Sequence, residues 1–149
     1  MNMKRLSNHF FLDEFTHSQI AVREEIDNTP NAEHLANLSD LAMALEDVRS
    51  LLDCPIYISS GYRSPKLNVA AKGSKSSAHC RGMAADFTAR QFGTPEDVCR
   101  KIEASGLEFD QLILEFFQWT HFSIDPRMRR QVLTAHRANG QVSYTQGIG

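Results

Sequence analysis

Apolar positions recur at steps of three and four through the second quarter of the chain: Leu35, Leu38, Leu41, Ala42, Leu45, Val48 and Leu52. That spacing lays one apolar stripe along a helix and predicts an amphipathic α-helix over 30–53 whose stripe covers a sheet. Thr29-Pro30 reads as its start, with the threonine as N-cap and the proline, which lacks an N–H, in the first helical position. Ahead of it, Phe10, Phe11, Leu12 and Phe15 form a short apolar cluster, and Ile20, Val22 and Ile26 follow among charges. Short helices are expected near 12–15 and 18–26.

After the long helix the pattern changes period. Pro55 to Ser60 is β-branched and aromatic and reads as a strand. Gly61-Tyr62-Arg63 turns the chain, and Ser64-Pro65 starts a short helix running to Ala71, which Gly73 stops. Residues 73–77 are a polar loop, and Met83 to Thr88 reads as a second strand. Thr94-Pro95-Glu96-Asp97 repeats the cap-plus-proline start, with Val98, Cys99 and Ile102 as the buried face of a helix ending near Gly106. Phe109 to Phe116 and Trp119 to Ile124 read as two strands so close together that they form a hairpin or one bulged strand. The segment from Arg130 to Tyr144 alternates weakly and is expected to supply an edge strand and a tail. A few helices followed by strands in series imply an α+β fold: a small, largely antiparallel sheet flanked by helices. There is no repeat and no linker, so residues 1–149 are expected to form one domain.

Composition narrows the function classes. The 149 residues are 42% hydrophobic and 23% charged, as in an ordinary globular protein, and the net charge is −2. Nothing basic enough to favour nucleic acid stands out, and Arg127-Met128-Arg129-Arg130 reads as a solvated turn. No apolar run approaches the length of a membrane span, and the polar residues after Lys4 and Arg5 exclude a signal peptide. A cytoplasmic protein without membrane insertion is expected. Cys54, Cys80 and Cys99 are widely spaced, form no CxxC pair and read as reduced, mostly buried thiols. Cys80 adjoins His79, but neighbouring side chains point apart, which disfavours shared ligation. His34 and His136 lie in polar surroundings and read as surface residues, and His9 and His17, which flank the entry cluster, read as surface or capping residues.

The chemistry concentrates in Ser77-Ala78-His79-Cys80-Arg81-Gly82-Met83-Ala84-Ala85-Asp86 and in Trp119-Thr120-His121. Catalytic zinc takes three protein ligands and leaves a position open. His79, Asp86 and His121 make such a set if His79 lies on a loop that Gly82 turns back toward the strand carrying Asp86. Hydrolysis at such an ion also needs a general base, and Glu115 is the candidate. It is an acid inside an apolar run, and its even separation from His121 puts both on one face of a regular strand. A developing oxyanion needs a positive partner, which Arg63 can supply. Bland readings stand beside these: Glu115 as a buried ion-pair partner, Arg63 as a turn-pinning arginine, Trp119 as core.

Together, Ser60-Gly61-Tyr62-Arg63-Ser64, the run from Ser77 through His79 to Asp86, and Glu115 to His121 resemble the M15 family. That family comprises zinc D-Ala-D-Ala carboxypeptidases and L-alanyl-D-glutamate endopeptidases. The entry segment, with His9-Phe10, Glu14-Phe15, Ser18, Ala21 and Ile26-Asp27-Asn28-Thr29-Pro30, is similar to its phage-associated branch. The resemblance covers residues from about 8 to 125. It implies the Hedgehog/D-Ala-D-Ala peptidase fold, one catalytic zinc and the peptide stem of bacterial peptidoglycan as substrate, with a lysin acting on the wall after release. Carried over by motif, His79, Asp86 and His121 are the ligands, and Arg63 steadies the substrate carbonyl. Ser77 contacts substrate or supports its loop, and Trp119 shapes the pocket. One departure matters: many members carry the catalytic acid three residues before the last histidine, where this chain has Gln118. The Hedgehog-like branch has a glutamate six residues before it, matching Glu115. The neutral Gln118 also keeps open a second reading, a non-catalytic zinc-binding structural or cell-wall-binding module of a phage particle.

Overall fold

A computed structural model describes residues 4–149; residues 1–3 of the expected entry segment lie outside the described residues. In chain order the elements are α1 (Leu12–Thr16), α2 (Gln19–Arg23), α3 (Ala32–Leu52), β1 (Tyr57–Ser60) and α4 (Pro65–Ala70). A 3-10 turn (Ala78–Arg81) follows, then β2 (Ala84–Thr88), α5 (Pro95–Glu103), β3 (Gln111–Glu115), β4 (Trp119–Ser123), β5 (Gln131–Ala138) and β6 (Gln141–Gln146). The strands form one sheet in the order β1-β2-β4-β3-β5-β6. All neighbours are antiparallel except β3 and β5, which run parallel. The fold is thus α+β with a largely antiparallel sheet, as the hydrophobic pattern predicts.

The two faces of the sheet do different work. Side chains alternate along a strand, so Leu112 and Leu114 of β3, Phe122 of β4 and Ala85 and Phe87 of β2 share one face. That face joins Leu38, Leu41, Leu45 and Val48 of α3 and Val98 and Ile102 of α5 in the main apolar core. Fully burying each such side chain is worth about 1.5–3 kcal/mol. The opposite face carries only a small apolar cluster, Ile113, Leu133 and Ala135, with Phe116 packed beside it. It is left open, and the polar side chains of interest stand on it.

Several boundaries move for local physical reasons. Helix α3 starts at Ala32, not at Pro30: Asp27 Oδ1 accepts the Thr29 N–H (3.0 Å), and the cap is Asn31, whose Oδ1 accepts the His34 N–H (2.8 Å). Helix α2 ends at Arg23, short of 26, because Glu25 takes a left-handed conformation and the Ile26 N–H returns to the Ala21 carbonyl. After α4 the left-handed position is Lys72, one residue before the expected Gly73. Helix α5 has the full capping box of Thr94 and Asp97.

The largest departure is at the C-terminal end, where two paired strands replace the expected edge strand and tail. Asn139 and Gly140 both have positive φ, the signature of the tight turn that matches the twist of a hairpin. β3 and β4 also form a hairpin, so of the two arrangements left open the hairpin is the one adopted. Arg127-Met128-Arg129-Arg130 is more than a solvated turn. Arg127 pairs with Asp125 (2.9 Å) and Arg129 with Asp110 (2.8 Å), while Arg130 lies over the Phe109 ring (4.8 Å).

Candidate metal centre and its cleft

The site is assembled from three segments, two of them adjacent in the chain and the third on a later strand. β2 and β4 are registered so that Asp86 and His121 are direct cross-strand partners on the open face. The 3-10 turn brings His79 over them. Ser77 Oγ caps that turn by accepting the His79 N–H (3.2 Å), and Gly82 closes it with φ +74. A side chain at Gly82 would also strike the His34 carbonyl oxygen, 2.6 Å from where its Cβ would lie.

Their ligand-capable atoms converge. His79 Nε2 lies 3.4 Å from Asp86 Oδ1, and His121 Nδ1 lies 3.0 Å from the same oxygen. One ligand atom from each of the three falls within 4.8 Å of the others. All three residues are at least nine-tenths buried. His79 Nδ1 donates to the Gly61 carbonyl (2.6 Å), which fixes the tautomer and leaves Nε2 with a free lone pair. That Nε2 is buried and has no hydrogen-bond partner. Two atoms bound tetrahedrally at zinc distances are about 3.3 Å apart, close to the separations found here. The orphaned nitrogen and the two-nitrogen, one-oxygen donor set therefore fit zinc.

Electrostatics support the same set. Burial opposes ionisation of Asp86, but the two imidazoles outweigh it, and its carboxyl stays well below the usual range. Burial pushes the His79 imidazole down, against the pull of Asp86, so it is held neutral. Burial also disfavours His121 cation, but the hydrogen bond and charge of Asp86 and the charge of Glu115 raise its pKa overall.

Glu115 stands beside this cluster, its Oε1 3.5 Å from His121 Nδ1. The reason differs from the expected one. The two residues are on different strands of a hairpin: Glu115 is registered with Trp119, and His121 with Ile113. Both rows point to the open face. Burial, then the Asp86 charge, pushes the Glu115 carboxyl up to about 7, against the opposing charges of His121 and Arg63 and the Trp119 N–H. Gln118, three residues before His121, is exposed in the turn.

Arg63 lies on the turn after β1. Its Nη1 donates to Asn68 Oδ1 (3.2 Å), while its Nε is buried without a partner. Its charge is felt by His79, His121 and Glu115. Trp119 packs edge-on to Phe116, ring centroids 5.6 Å apart, and lines the same cleft.

Three residues that sequence reasoning missed hold this arrangement. Gly61 supplies the acceptor for His79, and it is glycine because the Phe15 backbone crosses it: an added Cβ would lie 2.6 Å from the Phe15 oxygen. Asn28 clamps the Arg63 turn, accepting the Ser64 N–H (2.8 Å) and donating to the Thr16 and Tyr62 carbonyls. Asn68 holds Arg63 and donates to the Ser74 carbonyl (2.8 Å). No spacing rule marks any of these, although a glycine and an asparagine beside a functional turn are a weak signal. Cys80 is half-buried with its thiol pushed up by burial, and it stands outside the cluster. His34 stacks against Tyr62 at 5.3 Å, so it is less free than a surface histidine.

The cluster sits in a cleft of about 1160 Å³ across the open face. Glu115, Arg63, Ser77 and Trp119 line it with the three candidate ligands, and so do side chains of β5 and β6. Among the described residues, no helix is long and apolar enough to cross a membrane.

A family model described as Peptidase M15 matches residues 8–123. No curated protein matches the chain.

Proposed function

The chain belongs to the peptidase M15 family, and from that premise we propose that it is a zinc-dependent hydrolase of the peptide stem of bacterial peptidoglycan. The activity is of the D-Ala-D-Ala carboxypeptidase or L-Ala-D-Glu endopeptidase type, in the phage or prophage lysin branch. The observation that carries this reading is the buried, unpartnered Nε2 of His79, facing Asp86 and His121 with Glu115 at their side. A nitrogen left buried without a partner costs about 1–3 kcal/mol, a penalty that binding an ion removes.

His79, Asp86 and His121 would hold the zinc. When bound, it supplies Lewis acidity toward a carbonyl oxygen and a water. The remaining work falls to this chain's own side chains. Glu115 takes the proton from the attacking water and returns it to the leaving amine. A carboxylate poised near neutrality suits both transfers. Arg63, with N–H capacity left after its bond to Asn68, steadies the substrate carbonyl or a terminal carboxylate. Trp119 walls the cleft beside Glu115 and restricts water there. Ser77 keeps His79 in place through its cap.

The test is mass spectrometry of muropeptides after incubation with zinc-loaded protein, with and without chelator. Chelator-sensitive trimming of stem peptides is the expected result. Intact muropeptides under both conditions would sink the proposal. Binding without cleavage would favour the non-catalytic wall-binding reading.

A further inference from the structure

The matched region ends at residue 123, yet the cleft continues onto strands beyond it. Register defines which side chains stand there. Asp86, His121, Ile113, Leu133 and Gln146 form one row across the open face. The next row is Trp119, Glu115, Ala135 and Tyr144. Ala135 is small and fully buried in this row, and Glu115 and Tyr144 on either side of it both line the cleft. One step further, Arg137 and Val142 form the last paired row on this side of the hairpin. Arg137 thus lies about 13 Å along β5 from the row of the candidate ligands, roughly four residues of an extended peptide.

Arg137 is held there by an unusual turn. Phe116 and Phe117, the central residues of the β3–β4 hairpin, both have positive φ, 56° and 57°. The Gln118 N–H closes the turn on the Glu115 carbonyl (2.9 Å). Asparagine and glycine favour these angles, whereas a bulky side chain there is strained. The strain holds the Phe116 ring at the cleft, edge-on to Trp119, with the Arg137 guanidinium 4.1 Å above it. Of the other arginines lining the cleft, Arg81 and Arg127 are paired with Asp125, Arg129 is paired with Asp110, and Arg63 donates to Asn68 beside the candidate ligands. Among the described residues no carboxylate pairs with Arg137. A guanidinium stacked on a ring keeps its N–H edge free for a planar anion.

We propose that the β5–β6 hairpin is the specificity wall of the cleft, where Arg137, braced on Phe116 and flanked by Tyr144, binds a carboxylate of the substrate peptide remote from the scissile bond. The proposal rests on the peptidase reading above and names the substrate class it selects: stem peptides with free acids, in preference to those whose side carboxylates are amidated.

The experiment uses two stem pentapeptides that differ only in whether the D-Glu α-carboxylate and the diaminopimelate carboxylate outside the chain are acids or amides. Hydrolysis by the zinc-loaded chain is compared for wild type, Arg137→Gln and Arg137→Glu, and equilibrium binding is measured on zinc-loaded Glu115→Gln protein with and without Arg137→Gln. Wild type should prefer the acid about tenfold, mainly in KM, as expected for one charge-assisted contact. Arg137→Gln should erase the preference, and Arg137→Glu should reverse it. An acid-to-amide ratio unaltered by Arg137→Gln, or absent in wild type, overturns the inference and leaves the peptidase reading standing. Binding that depends on Arg137 with no cleavage of either peptide supports the inference and removes the hydrolase. Binding of neither peptide overturns both.

Discussion

Glu115 and Gln118 divide a role that sequence alone left contested. The acid beside His121 is Glu115, at 3.5 Å, and the amide is out in the turn. Glu115→Gln should lower kcat by about 10²–10⁴ while zinc content, measured by atomic absorption, stays at wild-type level. Gln118→Ala should change kcat less than twofold, since no reacting group is lost. Asn28 is a positioning residue that acts through the Arg63 turn, and Phe117 bears on stability. Asn28→Ala removes three hydrogen bonds, two of them to the Arg63 turn and one to the Thr16 carbonyl. It should raise KM and cost about 2 kcal/mol in denaturant titration. Phe117→Gly relieves a left-handed phenylalanine that is nearly half exposed. It should stabilise the protein by about 1 kcal/mol, read as a higher melting temperature, because glycine adopts that conformation without a Cβ clash.

At the scale of elements, the site is a product of register. A strand shifted by one residue turns every side chain to the other face. The pairing of Asp86 with His121 and of Glu115 with Trp119 therefore decides whether the acid meets the ligands at all. The 3-10 turn contributes His79 only because the Gly61 carbonyl and the Ser77 hydroxyl orient it. Zinc bound across β2, β4 and this turn would join elements that the fold otherwise connects through a few hydrogen bonds. Zinc should therefore raise the melting temperature of wild type, and His79→Ala should abolish that rise, in scanning calorimetry with and without chelator.

At the scale of the whole molecule, the far end of the sheet is fastened by a charged clasp. Arg129 grips Asp110 in two-pronged fashion, at 2.8 and 2.9 Å, and donates its own N–H to the same carboxylate (3.0 Å). The Arg129 guanidinium, against the cost of burial, holds the Asp110 carboxyl below the usual range. A carboxyl depressed in the folded state stabilises the fold above its unfolded value of about 3.9, and that contribution is lost as pH falls through the folded value. Asp110→Asn should accordingly cost about 2 kcal/mol at pH 7. The gap to wild type should narrow progressively below about pH 4, measured by urea unfolding at both ends of the range. The clasp also binds the segment entering β5 to the start of β3, next to which the parallel pair forms.

Much of this was legible in the order of residues. Periodicity marks α3, α5 and the central strands because burying an apolar stripe is the dominant local demand. His79, Asp86, His121, Arg63 and Glu115 were recognisable as an ordered set, although each alone admits a bland reading. Asn139-Gly140 was equally readable as a hairpin turn, and the weak alternation around it concealed that, since most of this hairpin is exposed and few apolar positions mark it. What no local pattern contains is long-range pairing. That β3 lies parallel to β5, that Glu115, Ala135 and Tyr144 stand in one row, and that Gly61 and Asn28 serve residues far along the chain follow from contacts between distant segments. By itself the sequence determined the α+β class, the main helices and strands, and the chemical identity of the candidate site. The tertiary structure decided which of those groups face one another and how far the cleft extends, because register and close packing are settled only when the whole sheet assembles on its core.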